Sequence, residues 1–145
     1  MRTLRKAVSV LIILGTISNG VHATDFCKRL PMDPEVPAGL DGSYEIVGRN
    51  SASGVAYTGT LVLGIGRNSY AVTRTTDRGT VNGDAWMESC GIDKVKALIV
   101  RYYTKPVTEM HCTFTADGDN YYRATCRTHQ IGRQKFGLEA WFQDH

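Results

Sequence analysis

The chain has 145 residues, with 17 Lys plus Arg against 14 Asp plus Glu and four cysteines. Arg2, Arg5 and Lys6, but no acidic residue, precede Thr24, so the remainder balances at 14 against 14. That neutrality removes the basic footprint of a nucleic-acid binder, and the 122 residues from Thr24 onward suffice for one hydrophobic core and not two.

The basic head is followed by an apolar run over 7–17, and Val21-His22-Ala23 places small residues where a signal peptidase cuts. The run is too short to cross a bilayer, which needs about 20 residues. Residues 1–23 therefore read as a signal peptide. Thr24-Asp25-Phe26 before Cys27 is not a lipid-attachment box, so no membrane anchor is expected after cleavage, and the destination is the periplasm or the exterior. Residues 24–42 hold Pro31, Pro34 and Pro37, a spacing that suits an extended arm outside the body and forbids a helix interior.

From Ser43 to the end, 43–145, period-two runs rich in Val, Ile, Thr and Tyr alternate with short Gly, Asn or Asp turns. They predict strands near 43–49, 56–63, 69–76, 80–88, 96–104, 108–116, 120–128 and 136–143. In the second, Tyr57, Gly59, Leu61 and Leu63 share a face; in the fourth, Val81, Gly83, Ala85 and Met87 do. In the last, Phe136, Leu138, Ala140 and Phe142 form the apolar face, with Glu139 and Trp141 opposite as a solvent-side pair. Gly59 and Gly83, inside strands, fit strong bends or close backbone contacts. Connections such as Asp77-Arg78-Gly79 and Asp117-Gly118-Asp119 are too short for parallel crossovers. The expected fold is all-β, a single up-and-down antiparallel barrel, or a closely related sandwich, of about eight strands.

Chemistry is sparse. "GIGRNS" at Gly64 to Ser69 opens like a dinucleotide fingerprint, but Ser69 replaces the last glycine and a strand follows in place of a helix. No nucleophile elbow, phosphate loop or His-Glu-x-x-His helix occurs. His111-Cys112 with Cys126-x-x-His129 has the residue types of a zinc set, yet neighbours one or three apart on a strand point to opposite faces. Glu45, Glu88, Glu109 and Glu139 are scattered along strand faces. The paired Tyr102-Tyr103 and Tyr121-Tyr122 each send one ring inward and one outward, for cross-strand packing or for anchoring a partner. No catalytic residue, metal or cofactor is expected, and the protein reads as a binding module and not an enzyme.

Four cysteines in an exported chain of this size imply two disulfides. Met110, Cys112 and Phe114 share one face, and Tyr122, Ala124 and Cys126 share another on the next strand. Setting Cys112 opposite Cys126 keeps both apolar faces inward, which leaves Cys27 and Cys90 to fasten the arm.

The run "GSYEIVGRNSASGVAYTGTLVLGIGRNSYAV" resembles the openings of small exported bacterial β-proteins of the lipocalin- or avidin-like kind, some of them labelled fibronectin-binding. That resemblance implies a barrel that binds a small ligand or an extracellular protein. Ser53-Gly54-Val55-Ala56-Tyr57 also matches the Ser-Gly-x-x-Tyr motif of bacterial periplasmic lysozyme inhibitors, whose loop enters the lysozyme cleft. This second resemblance implies Ser53, Gly54 and Tyr57 as contacts to a lysozyme. The family's other motif, Tyr-x-x-x-Thr-Lys-Gly, is not reproduced, because Tyr102-Tyr103-Thr104-Lys105 runs into Pro106. For a small-ligand barrel, the expected site is the inward Tyr57 and Tyr70 with apolar neighbours Leu61, Val72 and Leu138.

Overall fold

A computed structural model describes residues 27–33, 35, 37–116, 121–130 and 136–144. The expected signal peptide at 1–23 lies outside the described residues. Nine strands form in chain order: β1 (Cys27–Arg29), β2 (Gly42–Arg49), β3 (Ala56–Ile65), β4 (Tyr70–Thr76), β5 (Gly79–Cys90), β6 (Val95–Tyr102), β7 (Thr108–Ala116), β8 (Tyr122–Gln130) and β9 (Phe136–Gln143). Each of β2 to β9 pairs antiparallel with its neighbours in sequence, and β9 returns to β2, with Ile46 opposite Trp141. The result is a closed eight-stranded up-and-down barrel, which leaves none of these strands as a free edge.

The boundaries of β2 to β9 follow the residue chemistry read above, to within two residues at each end, and β1 is an addition to the eight expected strands. Alternation then fills the interior. Tyr44, Ile46, Leu61, Leu63, Tyr70, Val72 and Trp141 are each at most 2% exposed and pack in one core. Cys112 and Cys126 sit directly opposite each other on β7 and β8 and are bonded inside the barrel. That bond removes them from the hypothetical zinc set: the cysteines carry no thiolate, and the His111 side chain is half-exposed against Glu109.

Two expectations are corrected. The arm does not stay outside. β1 extends along β5 past the point where β4 begins, with Cys27 opposite Cys90 and bonded to it. Leu30 and Met32 pack on the core, and Leu40 is itself 2% exposed within it. The Tyr44 hydroxyl donates to the Leu40 carbonyl at 2.5 Å, Tyr122 donates to the Ala38 carbonyl, and Gln143 donates to the Gly39 and Asp41 carbonyls. The arm is a stopper for the end of the barrel where β2 begins.

The second correction concerns β9, whose faces are the reverse of the expected ones. Glu139 and Trp141 are inside at 2% and 1% exposure, while Phe136, Leu138 and Phe142 look outward at 57%, 56% and 43%. The indole is the largest buried side chain, and the carboxylate beside it meets a guanidinium, a phenol and the indole N–H inside the barrel, which offset the cost of burying its charge. Outside, Phe136 is covered in part by the Arg127 guanidinium, 5.2 Å from the ring centre.

Candidate functional site

Among the described residues, the barrel end opposite the stopper is open. There β2 hands over to β3, β4 to β5 and β6 to β7, and a cavity of about 220 Å³ lies among the strand ends. Its lining is mixed: Tyr57, Arg74, Tyr102 and Glu139 are the large polar groups, Val81 and Met110 the apolar ones, and Thr76, Thr104, Thr108 and Thr128 supply hydroxyls.

Cross-strand register positions the central groups. Gly48 on β2 is opposite Tyr57 on β3 and opposite Glu139 on β9. A Cβ at Gly48 would lie 2.3 Å from the Tyr57 ring, so only glycine leaves room for that ring to lie over β2. Lying there, Tyr57 reaches across to donate its hydroxyl to Glu139 Oε2 at 2.5 Å. Arg74 extends inward from β4, the strand next to β3, and donates to the same oxygen from Nε at 3.0 Å and Nη2 at 2.7 Å. The other carboxylate oxygen, Oε1, accepts from the Trp141 indole at 2.7 Å. The guanidinium carbon stands 4.8 Å from the Tyr57 ring centre and 5.9 Å from that of Tyr102.

The electrostatics follow from burial. Burial works against the Arg74 charge, but the hydrogen bonds and negative charge of Glu139 outweigh it and hold the guanidinium pKa above its ordinary value. Burial, then the charge and hydrogen bond of Glu139, push the Tyr57 hydroxyl up. Burial, then the negative charge of Glu139, pushes the Tyr102 hydroxyl up as well. Tyr102 is 3% exposed, and among the described residues its hydroxyl has no hydrogen-bond partner. Both tyrosines are therefore neutral hydroxyls at ordinary pH, and the Arg74–Glu139 ion pair between them is internally balanced.

Of the residues expected to bind a small ligand, Tyr57 lines this cavity. Tyr70, Leu61 and Val72 are inward but belong to the sealed core, each at most 1% exposed and outside the cavity lining. Leu138 is on the outer surface, a correction that follows from the reversed β9. Of the expected partner contacts, Ser53 and Gly54 are exposed on the β2–β3 turn, whereas the Tyr57 ring turns away from them into the barrel. The motif is split between a surface and an interior. Arg74, Glu139 and Tyr102 were not expected at a site. A signal for Arg74 exists in the chain: the inward alternation of Tyr70 and Val72 carries on to it, and an arginine on an inward face demands an acid.

As for metals, Cys27, Glu88 and Cys90 bring ligand atoms within 4.8 Å of one another, but both sulfurs belong to a disulfide and offer no thiolate. The disulfides agree with an oxidising compartment.

No protein family matches the chain, and no curated protein matches it. Among solved structures, it is similar to a protein described as a "De novo design of a fluorescence-activating beta barrel". The two are 12% identical over 72% of this chain and 94% of that one, with a TM-score of 0.47. By its own strands and disulfides, the chain is a small disulfide-bonded β-barrel protein.

Proposed function

We propose that this protein is a non-catalytic binding module of the periplasm or the exterior, and that its open barrel end receives a small ligand. One observation carries the reading: among the described residues, a barrel stoppered at one end keeps, at the other, an open cavity with an ion pair and an unpartnered tyrosine hydroxyl at its walls. Concave sites with a few fixed polar groups are where small molecules bind, and the volume is below the roughly 300 Å³ at which drug-sized pockets begin. The occupant is therefore compact. Both oxygens of the Glu139 carboxylate are engaged by Tyr57, Arg74 and Trp141, which suits a wall that positions a ligand. A fragment screen by NMR on the labelled mature protein tests this. Shifts are expected to cluster at Tyr57, Thr76, Tyr102 and Thr104. Binders that shift only the outer strand faces, or none at millimolar concentration, would overturn it.

A second reading has its own support. The β2–β3 turn is held by Asn50, whose Oδ1 accepts from the Ala52 and Ser53 amides at 2.9 and 3.0 Å, while Gly54 turns the chain at φ 70°. Ser53, Gly54 and the 57% exposed Val55 are thus presented on a pre-ordered tip, which suits recognition of an extracellular protein such as a lysozyme. Clearance of cell-wall suspensions by several lysozymes, with the protein in molar excess, tests it. Slowing that is abolished by Ser53→Arg, with the thermal transition unchanged, supports the tip as a contact; no slowing of any lysozyme removes a lysozyme as the partner.

A further inference from the structure

The charge balance and hydroxyl content of the open cavity restrict what it takes. Among the described residues, every strong charge inside is already answered. Glu139 Oε2 receives Tyr57 and two donors of Arg74, and Oε1 receives Trp141. At the rim, Asp77 and Arg78 stand side by side on the β4–β5 turn, again one of each sign. An anionic ligand would meet a guanidinium whose charge Glu139 has neutralised, and a cationic ligand would meet a carboxylate neutralised by Arg74. Either would lose its hydration with no counter-charge to replace it.

The groups left to a ligand are neutral hydrogen-bonding ones. Among the described residues the Tyr102 hydroxyl is buried without a partner, a state that is unfavourable until something fills it. A guanidinium has five N–H donors, more than the Nε and Nη2 contacts of Arg74 with Glu139 use, so it can also serve a neutral oxygen acceptor. Thr76, Thr108 and Thr128 add hydroxyls that both donate and accept. The geometry points to a compact neutral polyol, with the size and hydroxyl chemistry of a single sugar ring, held between Arg74 and Tyr102 in the cavity. This rests on the small-ligand reading above and narrows it to one class.

A matched series separates charge from shape: glucose, galactose and mannose, each against its uronate and its amino sugar, by saturation-transfer NMR at neutral pH. At least one neutral hexose is expected to bind, with its charged counterparts weaker by about tenfold, equivalent to about 1.4 kcal/mol. Two variants give readouts that a purely structural role would not. Tyr102→Phe removes the unpartnered hydroxyl, so its urea midpoint should hold or rise while hexose affinity falls several-fold. Glu139→Gln leaves Arg74 unneutralised, so, if folded, it should favour the uronate over the neutral sugar. A uronate or amino sugar that binds the unaltered protein as tightly as its neutral hexose overturns the inference. So does Tyr102→Phe binding a hexose as well as the parent. If no sugar binds but the fragment screen marks the cavity, the polyol class falls and the small-ligand reading stands. If neither binds, both fall.

Discussion

Glu139 has a cation, a phenol and an indole on its two oxygens, and all of them come from inward-facing positions on β3, β4 and β9. Removing the carboxylate leaves the Arg74 guanidinium, only 17% exposed, without its counter-charge, and orphans the Tyr57 and Trp141 donors. Breaking a buried pair in this way costs about 3–5 kcal/mol. Glu139→Ala should therefore shift a urea unfolding curve by that amount, whereas Leu138→Ala, at a surface 56% exposed, should change stability by no more than about 0.5 kcal/mol. The reverse order would mean that β9 faces as its alternation alone suggests, with Leu138 in the core, where truncation costs about 2–5 kcal/mol. This is also where the sequence was hardest to read. Phe136, Leu138 and Phe142 outweigh Glu139 on any hydrophobicity count, and the partner that makes Glu139 acceptable inside lies 65 residues away on a non-adjacent strand. Tyr57 was legible as an inward ring from its alternation with Leu61 and Leu63. Its reach across Gly48 to Glu139 was not, since it depends on the closure of β9 onto β2.

At the scale of elements, the strands were legible because each property that defines them is local: β-branched and aromatic alternation, short turns, and glycine where backbones approach. A Cβ on Gly59 would meet the Thr75 carbonyl at 2.1 Å, and one on Gly83 the Arg101 carbonyl at 2.2 Å, in keeping with close backbone contacts at both. The stopper was not legible, because Leu40 in a proline-rich stretch carries no period, and its burial is decided by the barrel end it meets. The two disulfides serve these elements differently. Cys112–Cys126 closes 14 residues between adjacent strands already in register, and Cys27–Cys90 closes 63 and fastens the stopper. In the loop-entropy account the longer closure stabilises by about 4 kcal/mol and the shorter by about 3 kcal/mol. The double variant Cys27→Ala with Cys90→Ala should thus lower the urea midpoint more than Cys112→Ala with Cys126→Ala. Its hydrogen exchange should quicken first at β1 and the Leu40 segment, with the eight-stranded ladder still protected. Equal loss throughout the barrel would show that the arm is a structural part of the ladder and not a separable stopper.

For the molecule as a whole, the interior is rich in buried phenols, and that gives stability a defined alkaline limit. Tyr44, Tyr57, Tyr70 and Tyr102 are all pushed above the ordinary tyrosine value of 10.0, chiefly by burial, with neighbouring negative charge adding to it: Glu139 at Tyr57 and Tyr102, Asp41 at Tyr44 and Tyr70. In the unfolded chain these four ionise near 10. The sign is therefore fixed. Below that value both states hold the proton and the tyrosines leave stability unchanged with pH. Above it the unfolded state binds fewer protons than the folded one, so stability falls as pH rises until the folded hydroxyls themselves ionise. Each tyrosine still neutral in the barrel contributes a slope of about 1.4 kcal/mol per pH unit. Four acting together exceed the margin of a typical domain, about 5–15 kcal/mol, within a few pH units. A titration of tyrosinate absorbance alongside near-ultraviolet circular dichroism should show ionisation of the buried four rising together with loss of the tertiary signal, as one cooperative step above pH 10. Tyr102→Phe and Tyr57→Phe should each move that step to higher pH by removing one proton from the difference. Smooth ionisation of all seven tyrosines near pH 10 with the tertiary signal intact would show that these hydroxyls are open to solvent, and that the barrel does not seal its phenols at all.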